Sequence, residues 1–316
     1  MKYKVYVDWL TQWGKDYLSH LKQIFQGKLT AGQGVTIDEN NVISASSTGD
    51  EYMLKENPVG SGSFSMNRKE GTTVGTNSVA IGTNTTASGT NSLAGGDRTI
   101  ASGNHSHAEG RHSEASGYAS HAEGYNTTAS GKYSHAEGSA TASGNYSHAE
   151  GDRSAIASGN NSHAEGSATA SGDNSHAEGS STASGHNSHA EGNDTTASGD
   201  NSHAEGRSTT ASGDSAHAEG LQTSTAGFNG AHTEGRYTIA SRAFQHVGGV
   251  YNADNSDALL IIGNGKNNTN RSNAFEILAD GRATVGADPT NDMGIATKQY
   301  VDSYYEFLDN YSEEEF

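Results

Sequence analysis

The sequence predicts an all-β-dominated fold built around a β-solenoid, in which the chain winds into short, stacked coils. Two sequence landmarks, Ala-Ser-Gly and Ser-x-Ala-x-Gly, alternate over residues 72–247 at steps of mostly 14 residues, with variants of 13 and 15. Two strands and two turns in about 14 residues fit one tight coil, whereas a helical repeat needs more residues and is broken by a glycine at every turn. The chain has 41 glycines in 316 residues, and these suit turns with positive φ and close approaches of the backbone.

Each landmark marks one strand of a coil. Ala-Ser-Gly occupies residues 87–89, 101–103, 115–117, 129–131, 142–144, 157–159, 170–172, 183–185, 197–199 and 211–213, with degenerate copies at 225–227 and 240–242. Ser-x-Ala-x-Gly begins at Ser78, Ser92, Ser106, Ser120, Ser134, Ser147, Ser162, Ser175, Ser188, Ser202, Ala216 and Ala231. The one-residue differences in coil length fall between the glycine of one landmark and the next landmark, where a turn can absorb them. About 12 coils are therefore predicted.

The composition excludes several classes of protein. Hydrophobic residues make up 31% of the chain and the net charge is −18, which would normally indicate disorder, but a strict repeat buries small residues between coils without a large apolar core. The negative charge repels nucleic-acid backbones, so no nucleic-acid partner is expected. The absence of cysteine excludes disulfides and cysteine-based zinc sites.

Residues 1–45 are predicted to hold a helix and a hairpin. An apolar stripe with three- and four-residue spacing predicts a helix over residues 8–26. This helix could pack on its own chain, but its two tryptophans without a nearby core favour packing against copies of itself or a larger assembly. Alternating residues around a turn at 38–41 predict a hairpin over 28–45, and the Ser-, Gly- and Asn-rich residues 46–71 indicate a linker or collar.

No targeting or membrane segment is expected. The N-terminal residues lack the apolar stretch and cleavage site of a signal peptide, and no run of about 18 apolar residues occurs. We therefore do not expect the chain to be exported or anchored by its own sequence.

Residues 248–316 depart from the repeat and predict a C-terminal β-hairpin and helix. The apolar run 258–262 is typical of a buried strand, and Asp280-Gly281 within 274–285 is a hairpin signal. Residues 294–308 carry helical spacing. Its apolar stripe consists of Tyr300, Tyr304 and Phe307.

The two variable residues of Ser-x-Ala-x-Gly form the candidate site. Side chains of a strand alternate between faces, so Ser, Ala and Gly share one face, which fits the inside of a narrow roll, and the variable residues share the other. In the first coil these are Val79 and Ile81, with Leu93 next in line, which suggests a buried contact between chains. In the next ten coils they are the pairs His107/Glu109, His121/Glu123, His135/Glu137, His148/Glu150, His163/Glu165, His176/Glu178, His189/Glu191, His203/Glu205, His217/Glu219 and His232/Glu234.

No catalytic constellation is evident, and we do not expect an enzyme. The Ser, His, Asp and Glu residues sit in repeat positions, and a serine and a histidine on opposite faces of one strand cannot form a nucleophile–base pair. The segment Gly263–Lys266 is not a phosphate-binding loop, because it lacks the glycine spacing and the following helix. No cofactor is predicted.

The segment Asn77–Gly82, with the sequence NSVAIG, and the landmarks that follow it resemble the head repeats of YadA-type trimeric autotransporter adhesins. This resemblance covers residues 72–247 and implies a left-handed parallel β-roll with three chains in one fibre. Two shorter segments, from Leu29 to Ala45 and from Asn273 to Asp302, resemble bacteriophage tail-fibre or appendage proteins. Their positions at the two ends, together with the missing signal peptide and anchor, favour the phage resemblance over a true autotransporter.

Three interpretations of the His/Glu pairs stay open. A structural polar interface between chains is favoured, because ten identical pairs in one register suggest a constrained contact. Stacked glutamates would repel one another, and a His beside each Glu can relieve this by hydrogen bonding within or between chains. His triplets around a threefold axis could bind metal, but metal sites seldom recur in every coil, so no metal is predicted. The third is a pH-responsive switch: if each Glu holds its His, protonation is favoured and stability should fall as the pH rises through the histidine range.

The expected function is that of a homotrimeric structural fibre of a phage-like virion that aids adhesion to the bacterial host surface. The alternative is a bacterial cell-surface trimeric autotransporter-type adhesin. Residues 1–45 would attach the fibre or start the trimer, the roll would be a stiff spacer, and residues 248–316 would form a trimeric cap. Expected partners are two further copies of the chain, other virion proteins at one terminus, and a glycan or protein of the host surface. The chain would be made in the host cytoplasm and act in the extracellular virion, without inserting into a membrane.

Overall fold

The computed structural model describes residues 34–37, 43–46, 63–66, 72, 74–151, 155–287, 296 and 298–313. The helix expected over residues 8–26 lies outside them, as does most of the expected linker over 46–71. The chain divides into two compact units, Met1–His112 and Ser113–Phe316. Strands dominate the described part of both.

In the first unit, three coils stack through parallel strands. Val79 pairs with Leu93, and Leu93 pairs with His107 in the next coil. A strand within residues 46–71 also pairs parallel with the first of these coils, so the stacking begins before the first landmark. The strands are β1 (Gly34–Ile37), β2 (Ile43–Ser46), β3 (Phe64–Met66), β4 (Val79–Thr83), β5 (Thr86–Ala87), β6 (Leu93–Asp97), β7 (Ile100–Ala101) and β8 (His107–Arg111). β1 and β2 form an antiparallel pair.

In the second unit, ten coils stack in register, with each residue beside its equivalent in the next coil. His121 pairs with His135, and Thr128 of the shorter strand pairs with Thr141. The strands of these coils are β9 (Glu114–Ala115), β10 (His121–Tyr125), β11 (Thr128–Ala129), β12 (His135–Gly138), β13 (Thr141–Ala142), β14 (His148–Gly151), β15 (Ile156–Ala157), β16 (His163–Gly166), β17 (Thr169–Ala170), β18 (His176–Ala183), β19 (His189–Ala197), β20 (His203–Arg207), β21 (Thr210–Ala211), β22 (His217–Leu221), β23 (His232–Thr233) and β24 (His246–Val250).

The predicted β-solenoid is thus confirmed and its strands are parallel, with about 13 coils in the two units together. The additional coil is that of β24, whose sequence QHVGG has Gln245 in place of the landmark serine and Val247 in place of the landmark alanine. Both replacements hide the landmark, although the position of His246, 14 residues after His232, keeps the period of the repeat.

The interior of the coils is filled by alanine and by small polar side chains. The alanines of both landmarks are 0–1% exposed, and the serine that opens the longer strand is buried with them, as are threonines such as Thr127 and Thr209. An interior this narrow has no room for large apolar side chains. A chain that is only 31% hydrophobic can therefore form a regular solenoid, because small side chains fill its interior.

Close backbone packing fixes the glycine of Ala-Ser-Gly. A Cβ placed on Gly159 would lie 2.0 Å from the carbonyl oxygen of Gly172 in the next coil. The glycine that ends the longer strand is constrained twice, because Gly220 has a φ of 109° and its Cβ would lie 2.2 Å from the carbonyl oxygen of Gly235. The close approach of the next coil requires glycine at both positions, and at Gly220 the positive φ requires it as well.

Coils of 14 residues have one more residue in a turn than coils of 13 residues, and that residue has a left-handed backbone conformation with positive φ. After Gly124, in a 14-residue coil, Asn126 has a φ of 55°. The 13-residue coils that follow Gly138, Gly166 and Gly179 have no such residue before the next threonine. Deleting one αL residue therefore shortens the turn and leaves both strands in register, as the sequence predicted for the length variants.

A buried hydroxyl ties the two landmarks of a coil together. The Oγ of Ser175 donates to the carbonyl oxygen of Gly172 at 2.7 Å, and Ser202 donates to Gly199 at 2.6 Å. The same bond recurs in most coils, but Ala216 and Ala231 lack the hydroxyl. A buried hydrogen bond of this kind typically contributes about 1 kcal/mol.

Ser175→Ala is expected to lower the free energy of unfolding by about 1 kcal/mol, because the carbonyl of Gly172 loses a buried donor. Ala216→Ser, which installs the missing hydroxyl, should change stability in the opposite direction. Thermal melts followed by circular dichroism would measure both. Equal melting temperatures for Ser175→Ala and the wild type would contradict the assigned contribution.

The roll ends in a change from parallel to antiparallel pairing. β25 (Ala258–Asn264) pairs parallel with β24 and antiparallel with β26 (Asn273–Leu278), which pairs antiparallel with β27 (Ala283–Val285). The predicted strand and hairpin are both present. Larger apolar side chains pack here, in a cluster of Ala231, Ala240, Val247, Ala258, Ile261 and Leu278.

The helix α1 spans Lys298–Glu313, against the predicted range 294–308. Tyr300 and Tyr304 of its predicted apolar stripe are exposed within the unit. Among the described residues, no helix combines the length and apolar composition needed to cross a bilayer.

Candidate functional site

The outward-facing His and Glu residues of the longer strands, from His107/Glu109 to His232/Glu234 with His246, form a continuous column in each unit, here named the His/Glu ladder. In a strand such as His121–Tyr125 the alanine is buried, the histidine is half-buried and the glutamate is exposed. The alternation of side chains along a strand produces this pattern. Every His/Glu pair predicted from the sequence lies on this outer face.

In the second unit the imidazoles of the ladder stack on one another. Consecutive rings from His121 to His232 have centroids 4.7–4.9 Å apart and lie within 21° of parallel. The last step, from His232 to His246, keeps the spacing at 4.5 Å but tilts by 58°. The spacing follows from the distance between neighbouring strands, about 4.8 Å.

The glutamates of the ladder stay open to solvent within one chain, although the sequence predicts that they lie in a contact between chains. Glu178 and Glu234 are half-buried. The exposed ones are Glu109, Glu123, Glu137, Glu150, Glu165, Glu191, Glu205 and Glu219. The burial of these carboxylates against a neighbouring chain therefore stays a prediction.

The glutamates approach their histidines without bonding closely to them. Nε2 lies 3.8 Å from the carboxylate in His121–Glu123 and 3.9 Å from it in His203–Glu205. These distances exceed those of hydrogen bonds. His246 instead approaches Glu234 of the preceding coil at 3.5 Å, and in the first unit His107 lies 3.5 Å from Glu109.

Glu191 shows why the expected hydrogen bond within the chain does not form. Its carboxylate lies 3.9 Å from Nε2 of His189, and its side chain is 48% exposed. Water can solvate a carboxylate this exposed, so little drives it toward the ring of its own strand. Of the two alternatives expected from the sequence, a hydrogen bond within the chain or one between chains, the first is not formed at Glu191. Relief from a neighbouring chain stays a prediction.

Several ladder nitrogens are buried within the chain although their rings are only half-buried. The Nε2 atoms concerned have no hydrogen-bond partner among the described residues and belong to His148, His163, His176, His189, His203, His217 and His232. Buried polar atoms usually have a partner in native proteins. A row of such atoms therefore marks this face as incomplete in a single chain.

Burial lowers the pKa of four ladder histidines below the usual 6.5. These are His148, His189, His217 and His232. Neighbouring imidazoles lower the pKa further, because a second positive charge would lie against the first, and the glutamates oppose both effects without overcoming them. The sequence-based expectation was that glutamate would make protonation favourable overall. The glutamates do raise the pKa, but the net shift of these four histidines is downward, so the expected pH dependence has the wrong sign for them.

Apolar residues occupy the same column at the ends of the two units. In the first unit Ile81 and Leu93 are 37% and 38% exposed, and Val79 is half-buried. In the second unit Leu260 pairs with His246, and Ile262, which is 36% exposed, pairs with Gly248. The second apolar segment was not predicted as part of the site, because Leu260 and Ile262 belong to a run that looks like a buried strand.

A second row of side chains, also missed from the sequence, connects the turns after Ala-Ser-Gly. The backbone N–H of Asn160 donates to the carboxylate of Asp173 at 2.8 Å, and that of His186 donates to Asp200 at 2.9 Å. Asn or Asp recurs at this position of several coils, which is the signal that could have revealed the row. Its role is to connect neighbouring coils.

Two places in the ladder bring three metal-ligating groups together. In each, one atom from every side chain lies within 4.8 Å of the other two, and the groups are His203, Glu205, His217 and His217, Glu219, His232. The two triads share His217. Sequence alone treats all ten pairs alike and could not single out these coils.

The comparison with protein families agrees with the repeat geometry. The family described as the YadA head domain repeat matches residues 74–99, 108–134 and 179–202. A comparison with curated proteins gives no match. The matched segments contain both landmarks and ladder residues, so the roll contains repeats similar to those of YadA adhesin heads.

Proposed function

We propose that the chain is a homotrimeric, adhesin-type fibre protein of a phage-like virion, in which the roll is a stiff spacer and the His/Glu ladder is the contact between chains. The observation that carries this proposal is the ladder face itself. In the second unit it combines buried imidazole nitrogens, without hydrogen-bond partners among the described residues, with the exposed aliphatic side chain of Ile262, and in the first unit it carries the exposed Ile81 and Leu93. The similarity to YadA head repeats supports a trimer and a binding role without catalysis.

Contact with a neighbouring chain would reduce two unfavourable contributions to the free energy of the ladder face. Glutamates stacked at strand spacing repel one another, and buried nitrogens without partners cost free energy. A symmetric assembly would place imidazoles of one chain, outside the coils of His203, His217 and His232, against carboxylates of another, so both costs would fall together. The exposed aliphatic residues of each unit, such as Ile81 in the first and Ile262 in the second, would be removed from water by contact with a neighbouring chain.

Light scattering coupled to gel filtration tests the assembly. The wild-type protein is expected to have three times the mass of a single chain in solution. The double variant Ile81→Lys/Leu93→Lys is expected to weaken or dissociate the trimer, because two charges would be buried in the contact. Tyr146→Lys is the control, since Tyr146 is 61% exposed in a turn outside the ladder. A monomeric wild type, or a double variant as trimeric as the control, would refute the proposed contact.

The virion setting rests on the two short end segments that resemble phage appendage proteins, and the bacterial surface adhesin is the second candidate, favoured by the YadA similarity. Antibodies raised against the chain distinguish them by electron microscopy. Labelled fibres on particles would support the virion assignment, whereas labelling of the bacterial surface alone would support the second candidate. Gene neighbours encoding tail or capsid proteins would point the same way as labelled particles.

Adhesion would arise from multivalency. Three chains held in one fibre present the same weak site three times, and the second and third contacts form at high effective concentration. Binding of the labelled trimer to host cells should therefore exceed that of the dissociated Ile81→Lys/Leu93→Lys variant. Equal binding by both would argue against an avidity mechanism.

A further inference from the structure

We propose that the His/Glu ladder binds one divalent transition-metal ion per chain, at His203, Glu205 and His217 or at His217, Glu219 and His232. Within the part of the chain that the structure describes, these two triads alone bring three ligand atoms within 4.8 Å of one another. The convergence is confined to three neighbouring coils. Metal sites seldom recur in every coil of a repeat, and a site limited to these three coils agrees with that rule.

The separation of the ligand atoms is close to what a bound ion needs. A triangle with sides of 4.8 Å has its centre about 2.8 Å from each corner, whereas zinc binds nitrogen and carboxylate oxygen at about 2.0–2.2 Å. Small side-chain rotations close this difference. Glu205 can supply much of the movement, because its side chain is 49% exposed and its carboxylate lies 3.9 Å from Nε2 of His203.

The imidazoles of the triads have nitrogen atoms that are available to bind a metal ion. Nε2 of His203, His217 and His232 is buried and has no hydrogen-bond partner among the described residues. A metal ion would occupy the lone pair of such an atom.

The donor set selects the class of metal. Two imidazole nitrogens and one carboxylate oxygen suit zinc, cobalt, nickel or copper, whereas magnesium and calcium prefer oxygen ligands alone. Three protein ligands leave a fourth tetrahedral position for water. Because both triads need the lone pair of His217, only one of them can be filled at a time, which gives one ion per chain whatever the oligomeric state.

Isothermal titration of Zn²⁺ into the full chain, without a histidine tag and after dialysis against a chelator, tests the proposal. The wild type is expected to bind about one Zn²⁺ per chain and His217→Ala to lose that site, because it removes a ligand from both triads. His176→Ala is the matched control. His176 has the same place in its coil and stacks at 4.8 Å on both neighbours, but it belongs to neither triad.

A second pair of variants keeps the test valid if His217→Ala folds poorly. Glu205→Gln with Glu219→Gln is expected to weaken Zn²⁺ binding by at least about tenfold, while Glu165→Gln with Glu178→Gln should leave it unchanged. Circular dichroism confirms the fold of each variant. The proposal is overturned if the wild type binds no stoichiometric Zn²⁺, or if the triad variants bind it as their controls do. Tight binding of Mg²⁺ at the same stoichiometry would overturn the assigned metal class.

Discussion

Replacing Gly159 by alanine is expected to lower the free energy of unfolding by about 3 kcal/mol per chain, and the melting temperature by roughly 5–10 °C. The added Cβ would lie 2.0 Å from the carbonyl oxygen of Gly172 and 2.4 Å from its carbonyl carbon. Both obstacles are backbone atoms of the next coil, so no side chain can move aside. The coils would have to separate locally, which weakens hydrogen bonds such as that from the N–H of Gly159 to the carbonyl of Ala170.

Gly95→Ala is the matched control for this substitution. Gly159 lies in a bend of the roll and Gly95 in the longer strand β6, but a Cβ on Gly95 would meet no atom within 4 Å and its φ is not in the left-handed region. Alanine at such a position typically stabilises by about 0.4–1 kcal/mol, because it restricts the unfolded chain. Thermal melts of both variants provide the comparison. Similar melting temperatures for Gly159→Ala and Gly95→Ala would show that the close approach between coils does not limit the fold.

Acidification from pH 7 to pH 5 is expected to destabilise the roll. The pKa values of His148 and His189 lie below the usual 6.5 in the folded chain, so below pH 6.5 the unfolded chain binds protons before the folded chain does. Stability is therefore complete above about pH 6.5 and is lost as the pH falls toward the folded pKa values. The effect accumulates, because each protonated imidazole stacks against others, as His148 does on His135 and His163.

Burial is the largest cause of the lowered pKa of His148 and His189, and the charged groups that face each ring modify it. For His148, the imidazoles of His135 and His163 lower the pKa, and the carboxylates of Glu137 and Glu150 raise it. For His189, the imidazoles of His203 and His176 lower the pKa, and the carboxylates of Glu191 and Glu178 raise it. In both cases burial adds to the effect of the imidazoles and outweighs the carboxylates.

Variants of these histidines test the mechanism. Melting temperatures are measured between pH 5 and 8, a pH range that lies largely above the one in which glutamates titrate. His148→Asn with His189→Asn should flatten the curve. His186→Asn, at an exposed histidine outside the ladder, should leave it unchanged. A melting temperature that is constant, or that rises on acidification, would contradict the mechanism.

The solenoid could be predicted because its cause is local and periodic. A glycine at each close approach, an alanine at each buried position and a fixed step along the chain together define one coil, and copying that coil defines the roll. The coil at His246 was missed because Gln245 and Val247 replace the serine and the alanine of the landmark. In the structure the amide of Gln245 donates to the carbonyl oxygens of Asn255 and Ala258, so the longer side chain closes the end of the roll as serine could not.

The chemistry of the ladder was harder to predict than its position. Alternation of side chains places His and Glu on one face, but it does not give the distance between them. That distance is 3.9 Å in His148–Glu150, and together with burial it leaves desolvation stronger than the attraction of the carboxylate. The two metal-ligating triads likewise depend on how closely the side chains of neighbouring coils approach one another, which the repeated His/Glu pattern does not give. The handedness of the roll and the trimer stay predictions.

The change to antiparallel pairing after β25 also has a consequence for solubility. A stack of identical strands in parallel register presents, at its last coil, a row of free N–H and C=O groups that matches the edge of any other copy, which is the arrangement that lets amyloid grow by end addition. β26 runs in the opposite direction and covers that edge with a strand of unrelated sequence, and β27 pairs in turn with β26. The hairpin therefore acts as a terminator of strand addition, and it allows a chain that pairs with itself many times to avoid templating its neighbours end to end.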